Sequence, residues 1–425
     1  MFLQKCGNCG KNTLAAGKMT EFFPEAQRYW LRNVILITVA QFFAQVAFCS
    51  AMTFMPFWFK DIAHITDNGK LSMYVALYAM AGNLSFCVFA PIWGTLGDRY
   101  GRRIMLLRAT VGGAILTPLM AFISNPALMV CHRLALGALV GTVTAAQSLI
   151  VTTTPQKYMT IALGAASAGM FAGIMGGQFA GGEMVRHFGF FTTFIWSGVL
   201  LGISTVLILF TKENFQPVVR KSRKRHLGLA MPRFGKGGLL LLLFILMGFS
   251  RDIDGPFLPQ LVMEVVSNSK DALRWTGWIN GMCAFGGMLS GLILGYAASR
   301  ISILKVLCLV IGIAGLMRIL LSFAPAAEVI MAERFVQVLV AGGMEPMFQA
   351  WLAGVTLAQH RSMMLGWSAT ARSTGWMLGS LAGGGLAVLF GGVKGLFLVS
   401  GILYLLMIPA VLFAGKKVPP PPVQK

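Results

Sequence analysis

The chain alternates long apolar stretches with short polar segments. Each apolar stretch is about as long as the roughly 20 residues that a helix needs to cross a bilayer. Twelve such spans begin near Val34, Ser72, Ile104, Ala127, Ile161, Phe190, Gly237, Leu273, Val306, Val329, Met363 and Leu396. Backbone groups in lipid must be hydrogen-bonded within the segment, so the spans are expected to be helical. The pattern predicts an all-α membrane protein with twelve transmembrane helices.

Composition supports this assignment. Of 425 residues, 56% are hydrophobic and 12% charged, and the mean hydropathy is +0.73. These values lie far outside the range of soluble domains. The segment up to Asn33 is polar and basic and lacks the apolar core and cleavage site of a signal peptide. We therefore expect the first span to be an uncleaved membrane anchor.

The basic residues behind the net charge of +21 are concentrated on one side of the membrane. Twelve spans place both termini on one side, where the tails and loops hold 23 Lys and Arg. The opposite loops hold only six, namely Lys60, Lys70, Arg186, Lys270, Arg274 and Lys394. Basic residues favour the cytoplasmic side, so both termini are predicted to be cytoplasmic, as in a multi-pass protein of a bacterial-type inner membrane. The charge thus reports topology, and we expect no nucleic-acid partner.

The chain divides into two similar halves. The hydrophilic segment from Lys212 to Lys236 separates spans six and seven. Arg133 of span four and Arg334 of span ten are 201 residues apart. We predict a tail at 1–33, a six-helix bundle at 34–211, a basic linker at 212–236, a second bundle at 237–414 and a tail at 415–425. Parallel repeats of this kind are typical of transporters.

Spans five and eleven carry matching glycines. Each pair is 202 residues apart: Gly164, Gly173, Gly177, Gly181 and Gly182 match Gly366, Gly375, Gly379, Gly383 and Gly384. Small residues let membrane helices approach closely, so the first set is predicted to pack helices.

A loop after span two makes the resemblance specific. It resembles the signature loop of the major facilitator superfamily at every defined position, including Gly94, Asp98, Arg99, Gly101, Arg102 and Arg103. Arg133 begins a segment resembling the family's span-four motif, with Leu136 in place of the usual Gln. Span five resembles the antiporter motif, with Gln178 in place of Pro.

The resemblance implies two six-helix bundles around a cavity that opens alternately to each side. It implies that Asp98 belongs to a gate, that Arg133 contributes to proton coupling, and that the span-five glycines favour export. The chain has no phosphate-binding GxxxxGK[ST] motif. We therefore expect a transporter that uses a gradient or runs downhill, with no enzymatic activity and no cofactor.

Charged residues at membrane depth are costly and therefore mark candidate sites. Span seven is apolar for only about 13 residues, so it must extend past Arg251, Asp252 and Asp254 to cross the bilayer. Arg251 and Asp254 are three residues apart and could pair on one helix face. Asp252 corresponds to the end of a polar stripe in span one that includes Gln41 and Gln45, which predicts a cavity position. The alternative is an unwound outer loop with solvated charges.

Span ten has a polar face formed by Arg334, Gln337, Glu345 and Gln349, and the matching face of span four includes Arg133 and Thr144. Of these, Thr144, Arg334 and Gln337 are predicted to line the cavity. Glu345 and Arg372 lie at similar depth on neighbouring spans, which predicts an ion pair. The pair could be structural, or a proton or substrate could compete for Glu345. Arg133 and Arg334 could instead extend to the membrane surface.

These features favour a proton-coupled exporter of hydrophobic or cationic small molecules, resembling the twelve-span drug:proton antiporters. One alternative is a transporter of a defined anionic metabolite or siderophore, because arginines outnumber acids in the membrane. Another is a non-transporting sensor or structural protein. We expect a monomer in the bilayer. Cys6 and Cys9 form a lone CxxC without the further ligands of a metal site.

Overall fold

The computed structural model describes residues 29–155, 158–213, 235–356 and 361–420. Most of the predicted N-terminal tail and linker, including the Cys6 and Cys9 pair, lies outside the described residues.

The described residues of the first half form seven α-helices. They are α1 (Trp30–Met52), α2 (Met55–Asp61), α3 (Asn68–Tyr100), α4 (Arg102–Leu119), α5 (Pro126–Leu139), α6 (Thr142–Thr153) and α7 (Met159–Leu209). Those of the second half form nine. They are α8 (Gly235–Asp252), α9 (Leu258–Val265), α10 (Ser269–Arg300), α11 (Ile303–Leu321), α12 (Ala327–Ala341), α13 (Met344–Val355), α14 (Arg361–Leu389), α15 (Val393–Leu405) and α16 (Met407–Lys417).

These helices build the twelve predicted spans. Spans one, four, seven, ten and twelve each consist of two helices, and α7 contains spans five and six. The division within α7 is at Gly189, whose φ of 76° is accessible to glycine at little cost. We call the side where α1 begins and α16 ends the tail side. The opposite side, which carries Asp61, Asn68 and Ser269, is the far side.

The bundles extend slightly beyond the apolar spans. The first helix begins at Trp30, before the predicted Val34, because Asn33 is buried and exchanges two hydrogen bonds with the backbone of Lys212. The last helix continues past residue 414 to Lys417, and the carbonyl of the buried Val418 accepts a hydrogen bond from Trp351. Hydrogen bonds of polar side chains at the helix ends thus allow the helices to extend beyond the apolar spans that hydropathy marks.

The helix breaks repeat between the halves. Span four breaks at Gly141, whose φ is 155°, and span ten breaks at Gly342 and Gly343. Span one breaks just before Pro56, and span seven breaks between Asp252 and Pro259, with a 3₁₀ turn at Gly255–Phe257. Proline cannot donate the backbone bond of a helix interior, which explains the breaks in spans one and seven.

Glycine packing repeats as well. A Cβ built at Gly173 would lie 2.5 Å from the carbonyl oxygen of Phe42 in span one, and one at Gly177 would lie 2.7 Å from that of Val46. In span eleven, Gly375 and Gly379 meet the carbonyl oxygens of Ile245 and Phe249 in span seven in the same way. Gly181 and Gly383 continue the two series against Ser50 and Ile253, respectively.

Gly164 and Gly182, the first and last glycines of the predicted set, do not pack against helices of their own half. Gly182 contacts the other half, because a Cβ there would lie 2.9 Å from the carbonyl oxygen of Leu273 in span eight. Gly164 is exposed, and a Cβ built there meets no described atom within 4 Å. The prediction that Gly164 packs helices is therefore wrong, since the spans beside it have already diverged.

The halves touch on the far side and separate towards the tail side. Far-side contacts join Gly182 to Leu273 and Gly384 to Ala76. Gly164, Gly291, Gly366 and Gly94 lie eighteen residues further along these four spans, which is about five helix turns or 27 Å. A Cβ built at any of them meets no atom within 4 Å among the described residues. Each pair lies on one helix face, so the spans that touch on the far side stand apart on the tail side. The space between the halves opens to the tail side.

Candidate functional site

The loop between spans two and three is bonded within the first half. Gly101, with a φ of 99°, ends α3 and precedes α4. The first backbone N–H groups of α4, those of Arg102 and Arg103, donate to the two carboxylate oxygens of Glu213 at 3.0 and 2.8 Å. A carboxylate is stabilised at a helix N-terminus. Sequence reasoning missed Glu213, which lies at the end of span six.

The arginines of this loop also have partners nearby. Arg102 donates to the hydroxyl of Ser148 in span four, and Arg103 donates to the carbonyl of Leu209 at 2.6 Å. Arg99 is exposed and lies over the ring of Tyr100. Gly94 faces the open tail-side space. The side chain of Asp98 lies outside the part of the chain that the structure describes.

A buried charged cluster joins spans seven, nine, ten and twelve. Asp254 is fully buried, and its Oδ2 lies 3.1 Å from Nη1 of Arg318. Nη1 of Arg334 lies 3.9 Å from Oδ1 of Asp254, and the hydroxyl of Ser400 donates to Oδ2 at 3.0 Å. Arg318 also donates to the backbone carbonyl of Ser250. The cluster contains two guanidinium groups and one carboxylate.

Four sequence predictions change at this cluster. Arg251 is exposed, and Asp254 pairs with Arg318 and Arg334 instead, because α8 ends at Asp252 and the helical spacing of three residues is lost. Arg334 is buried and donates to Gln337 at 2.6 Å, so it does not extend to the membrane surface and Gln337 does not line a cavity. The alternative of an unwound loop with solvated charges is wrong for Asp254, which is buried, although the helix does end at Asp252.

Glu345 and Arg372 form an ion pair between spans ten and eleven. The two side chains are 19% and 20% exposed, so the pair is reachable from solvent, unlike the cluster at Asp254. Gln349, one turn along span ten, donates to Glu345 at 3.2 Å. The guanidinium of Arg372 lies 4.6 Å from the ring centre of Trp376. Such a partly exposed pair can exchange its partner for a proton or a charged ligand.

Asp252 makes a contact between the halves. Its Oδ2 accepts a hydrogen bond of 3.1 Å from the side-chain amide of Asn83 in span two. Asp252 is half-buried, and Asp254, two residues along, points into the second half. The break in span seven thus directs one carboxylate towards each half.

The polar candidates of the first half are neutral apart from one arginine. Arg133 donates to the sulfur of Met52 at 2.8 Å and stacks on Gly82, where a Cβ would lie 2.5 Å from its Nε. Thr144 is exposed. Gln41 is buried and donates to the carbonyl of Thr142 at the break in span four, so it stabilises that break and does not line a cavity.

Gln45 is half-buried, and its Cβ lies close to Gly173 of span five. It therefore takes part in the contact between spans one and five. A separate cavity of about 400 Å³ lies on the far side, bordered by Ser72, Gln260 and Glu264. It is remote from the Glu345 and Arg372 pair and from the tail-side opening.

Comparisons with known proteins agree with this architecture. The family model described as Major Facilitator Superfamily matches residues 37–241 and 240–425. The "Multidrug resistance protein MdtG" of Salmonella arizonae is 29% identical over 366 residues, covering 85% of this chain and 90% of that protein. The same-named protein of Escherichia fergusonii is 29% identical over 384 residues, covering 88% and 92%.

Two solved structures share the fold. The nucleoside transporter NupG has a TM-score of 0.73 at 13% identity, covering 90% of this chain and 99% of that one. A bacterial homologue of the human lysosomal transporter Spinster, solved in an inward-facing and unoccupied conformation, has a TM-score of 0.69 at 15% identity, covering 93% and 98%. At these identities the likeness concerns the fold alone.

Proposed function

The chain belongs to the major facilitator superfamily and is a multi-pass secondary transporter, and from that premise we propose that it exports hydrophobic or cationic small molecules in exchange for protons. The observation that carries the proposal is the partly exposed ion pair of Glu345 and Arg372. The name of the 29% identical relatives, multidrug resistance protein, supports this substrate class.

The proposed membrane is a bacterial-type inner membrane, with both termini in the cytoplasm. The excess of Lys and Arg on the tail side supports this orientation. In that orientation the space between the halves opens to the cytoplasm, from which an exporter takes its substrate.

Glu345 is the group at which proton and substrate compete in this proposal. When Arg372 is its partner, the carboxylate is ionised and the guanidinium balances its negative charge. A proton on Glu345 removes its charge and releases Arg372. On the deprotonated carboxylate, a cationic substrate can instead take the place of the guanidinium, so proton and substrate exclude each other at this group. Gln349 and Trp376 hold the two side chains in position. Arg133 is the candidate in the first half that responds to the proton.

Asp98 belongs to the gate in this proposal. Its loop meets the other half only when the tail side closes. Arg102 and Arg103 are fixed within the first half by Ser148, Leu209 and Glu213, which supports a rigid loop that docks as one body.

A second candidate is the transport of a defined anionic molecule. The described membrane segments contain the guanidinium groups of Arg108, Arg133, Arg251, Arg318, Arg334 and Arg372, which exceed the carboxylates of Asp252, Asp254, Glu333 and Glu345. A surplus of positive charge favours an anionic substrate group.

Flux into proteoliposomes tests both candidates. Purified protein is reconstituted, a pH gradient is imposed, and uptake of the cationic dye ethidium and of the anionic dye calcein is compared. The proposal predicts gradient-driven ethidium flux, and gradient-driven calcein flux alone would favour the second candidate. The double exchange Glu345→Arg with Arg372→Glu is the control variant. It should restore expression without transport if the pair has a mechanistic role, and restore both if the pair is structural.

A further inference from the structure

One set of contacts between the halves forms a ladder along span two, separate from the far-side ion pairs of Glu183 with Arg274 and of Arg186 with Asp271. From the far side inwards, Ser72 donates to Gln260 at 3.2 Å, Asn83 donates to Asp252 at 3.1 Å, and Cys87 lies 3.9 Å from the hydroxyl of Thr374. Beyond them, Gly94 faces open space. The bond between Asn83 and Asp252 therefore lies one helix turn from the Cys87 contact, which is the last contact of the ladder before the tail-side opening.

This bond differs from the rest of the ladder in charge. Ser72, Gln260, Cys87 and Thr374 are neutral, whereas Asp252 presents a carboxylate to the amide of Asn83. A hydrogen bond to a charged acceptor is about twice as strong as a neutral one. Proton binding to Asp252 therefore weakens this contact, whereas the neutral contacts of the ladder change little with pH.

Arg318 and Arg372 are paired with other carboxylates, so the protonation of Asp252 depends on its bond to Asn83. The charged groups acting on it are Arg251 and Asp254 of its own span and Arg318 of span nine, and span two contributes the neutral amide of Asn83. Arg318 is held by Asp254 at 3.1 Å, so it is committed to another carboxylate. Arg372 of span eleven is paired with Glu345. Asn83 is thus the direct partner that the other half supplies.

We propose that Asp252 is a proton-binding residue of the transport cycle and that Asn83 is its positioning residue across the interface. Deprotonated Asp252 accepts the Asn83 bond and stabilises the state closed on the far side. When the far side opens, the carboxylate loses this donor and binds a proton from far-side water. When the far side closes again, Asn83 favours the charged form, and the proton leaves to water of the tail-side opening.

This linkage moves protons from the far side to the tail side. The direction is the one an exporter driven by an inward proton gradient requires. The inference rests on the proposed proton-coupled export for its physiological role. Its test measures conformation, so it can succeed or fail independently of any transport assay.

The experiment uses spin labels on the full chain in lipid nanodiscs. Labels attached at Lys70→Cys and Lys270→Cys, both exposed on the far side of opposite halves, report the opening of that side. Native cysteines are replaced by serine. Distances are measured by pulsed electron resonance between pH 5.5 and 8.5. We expect the ratio of open to closed molecules to rise about tenfold as pH falls, the effect of losing one hydrogen bond to a charged group.

Variants separate the proposal from a general effect of pH. Asp252→Asn should remove the pH dependence, and Asn83→Leu should increase the open population at high pH by about the same factor. Asn83→Asp should invert the dependence, because two carboxylates repel when both are charged and can share a proton at lower pH. This variant keeps a polar side chain of the same size and guards against misfolding.

A matched control comes from a second contact between the halves. Asp61 accepts a hydrogen bond of 3.4 Å from Ser269 at the exposed far-side rim. Asp61→Asn should leave most of the pH dependence intact, because this bond is longer than that of Asp252 and is exposed to solvent. The proposal is overturned if Asp252→Asn retains the wild-type pH dependence or if Asn83→Asp responds to pH in the wild-type direction.

Discussion

Spans one and seven break at equivalent places, but the residues around the two breaks differ in charge. Near the break in span one, the hydroxyls of Ser50 and Ser197 lie 3.3 Å apart. Near the break in span seven, Ser400, which is 203 residues after Ser197, donates to the carboxylate of Asp254. The neutral version supports the same backbone. The charges of the second half are therefore additions to a framework that does not require them.

Hydropathy follows the same division. Among the described residues, the apolar segments able to cross a bilayer in the first half are Trp30–Asp61, Asn68–Ala90, Arg102–Phe122, Pro126–Thr153 and Ile161–Leu209, the last of which holds two spans. In the second half only Ile303–Leu321 and Val393–Lys417 meet the same criterion. Polar groups inside a membrane are kept at a cost in stability, which suggests a function for those of the second half.

The largest effect on stability is expected from removing the carboxylate of Asp254 at the centre of the buried charged cluster. Asp254→Leu leaves Arg318 and Arg334 buried without a carboxylate, and breaking a buried ion pair costs about 3 to 5 kcal/mol. We expect a large loss of thermal stability and of folded yield, measured by melting of the purified protein.

The first half suggests the control for this prediction. It has Ser50 in this part of span one and Leu116 at the position of span three that corresponds to Arg318, 202 residues earlier. The double variant Asp254→Ser with Arg318→Leu copies that arrangement and should recover most of the lost stability. A double variant as unstable as Asp254→Leu would contradict the view that the charges are additions to the framework.

The glycine contacts should be equally sensitive in both halves. Gly177→Ala and Gly379→Ala each place a methyl group against a backbone carbonyl, and overpacking of this kind costs about 1 to 3 kcal/mol. Melting temperatures of the two variants should fall by similar amounts. Gly164→Ala and Gly366→Ala are the matched controls, because both positions face open space. Unequal losses at the equivalent sites would show that the halves do not pack alike.

The smallest expected effect concerns Glu213, which has no acidic counterpart in the second half. Gly415 stands 202 residues after it, and α11 begins without a side-chain cap. Glu213→Gln should lower stability by about 1 kcal/mol, the typical value of a carboxylate at a helix N-terminus. High salt should reduce the difference from wild type. Glu328→Gln is the matched control, because it removes an exposed carboxylate from the first turn of α12 that is not part of the span-three contact, and it should therefore lower stability by less.

The repeat and the hydropathy pattern were sufficient to predict the twelve spans, because both depend on spacing along the chain. Contacts made through helix breaks were not predictable in the same way. Arg251 and Asp254 were expected to share a helix face, but the helix ends between them and turns Asp254 towards Arg318. The sequence contained one usable signal, since Arg318 is a charged residue at membrane depth in span nine and therefore requires a partner.

Contacts from distant segments were the other limit. Glu213 reaches the start of span three from the end of span six, and Asn83 reaches Asp252 from the other half. Neither contact follows from periodicity, because each depends on how the spans are arranged around one another. Glu345 and Arg372 were easier, since both lie on adjacent spans at similar depth.

The central claim is that the second half contains the coupling chemistry and the first half contains the gate. The most direct test measures ethidium flux into proteoliposomes with a pH gradient and without one. The ratio of the two fluxes is compared among wild type, Glu345→Gln and Asp98→Asn. We predict that Glu345→Gln reduces the ratio to about one while exchange without a gradient continues. Asp98→Asn should slow both fluxes and leave the ratio unchanged. A wild-type ratio in Glu345→Gln, or a lost ratio in Asp98→Asn with normal exchange, would contradict the claim.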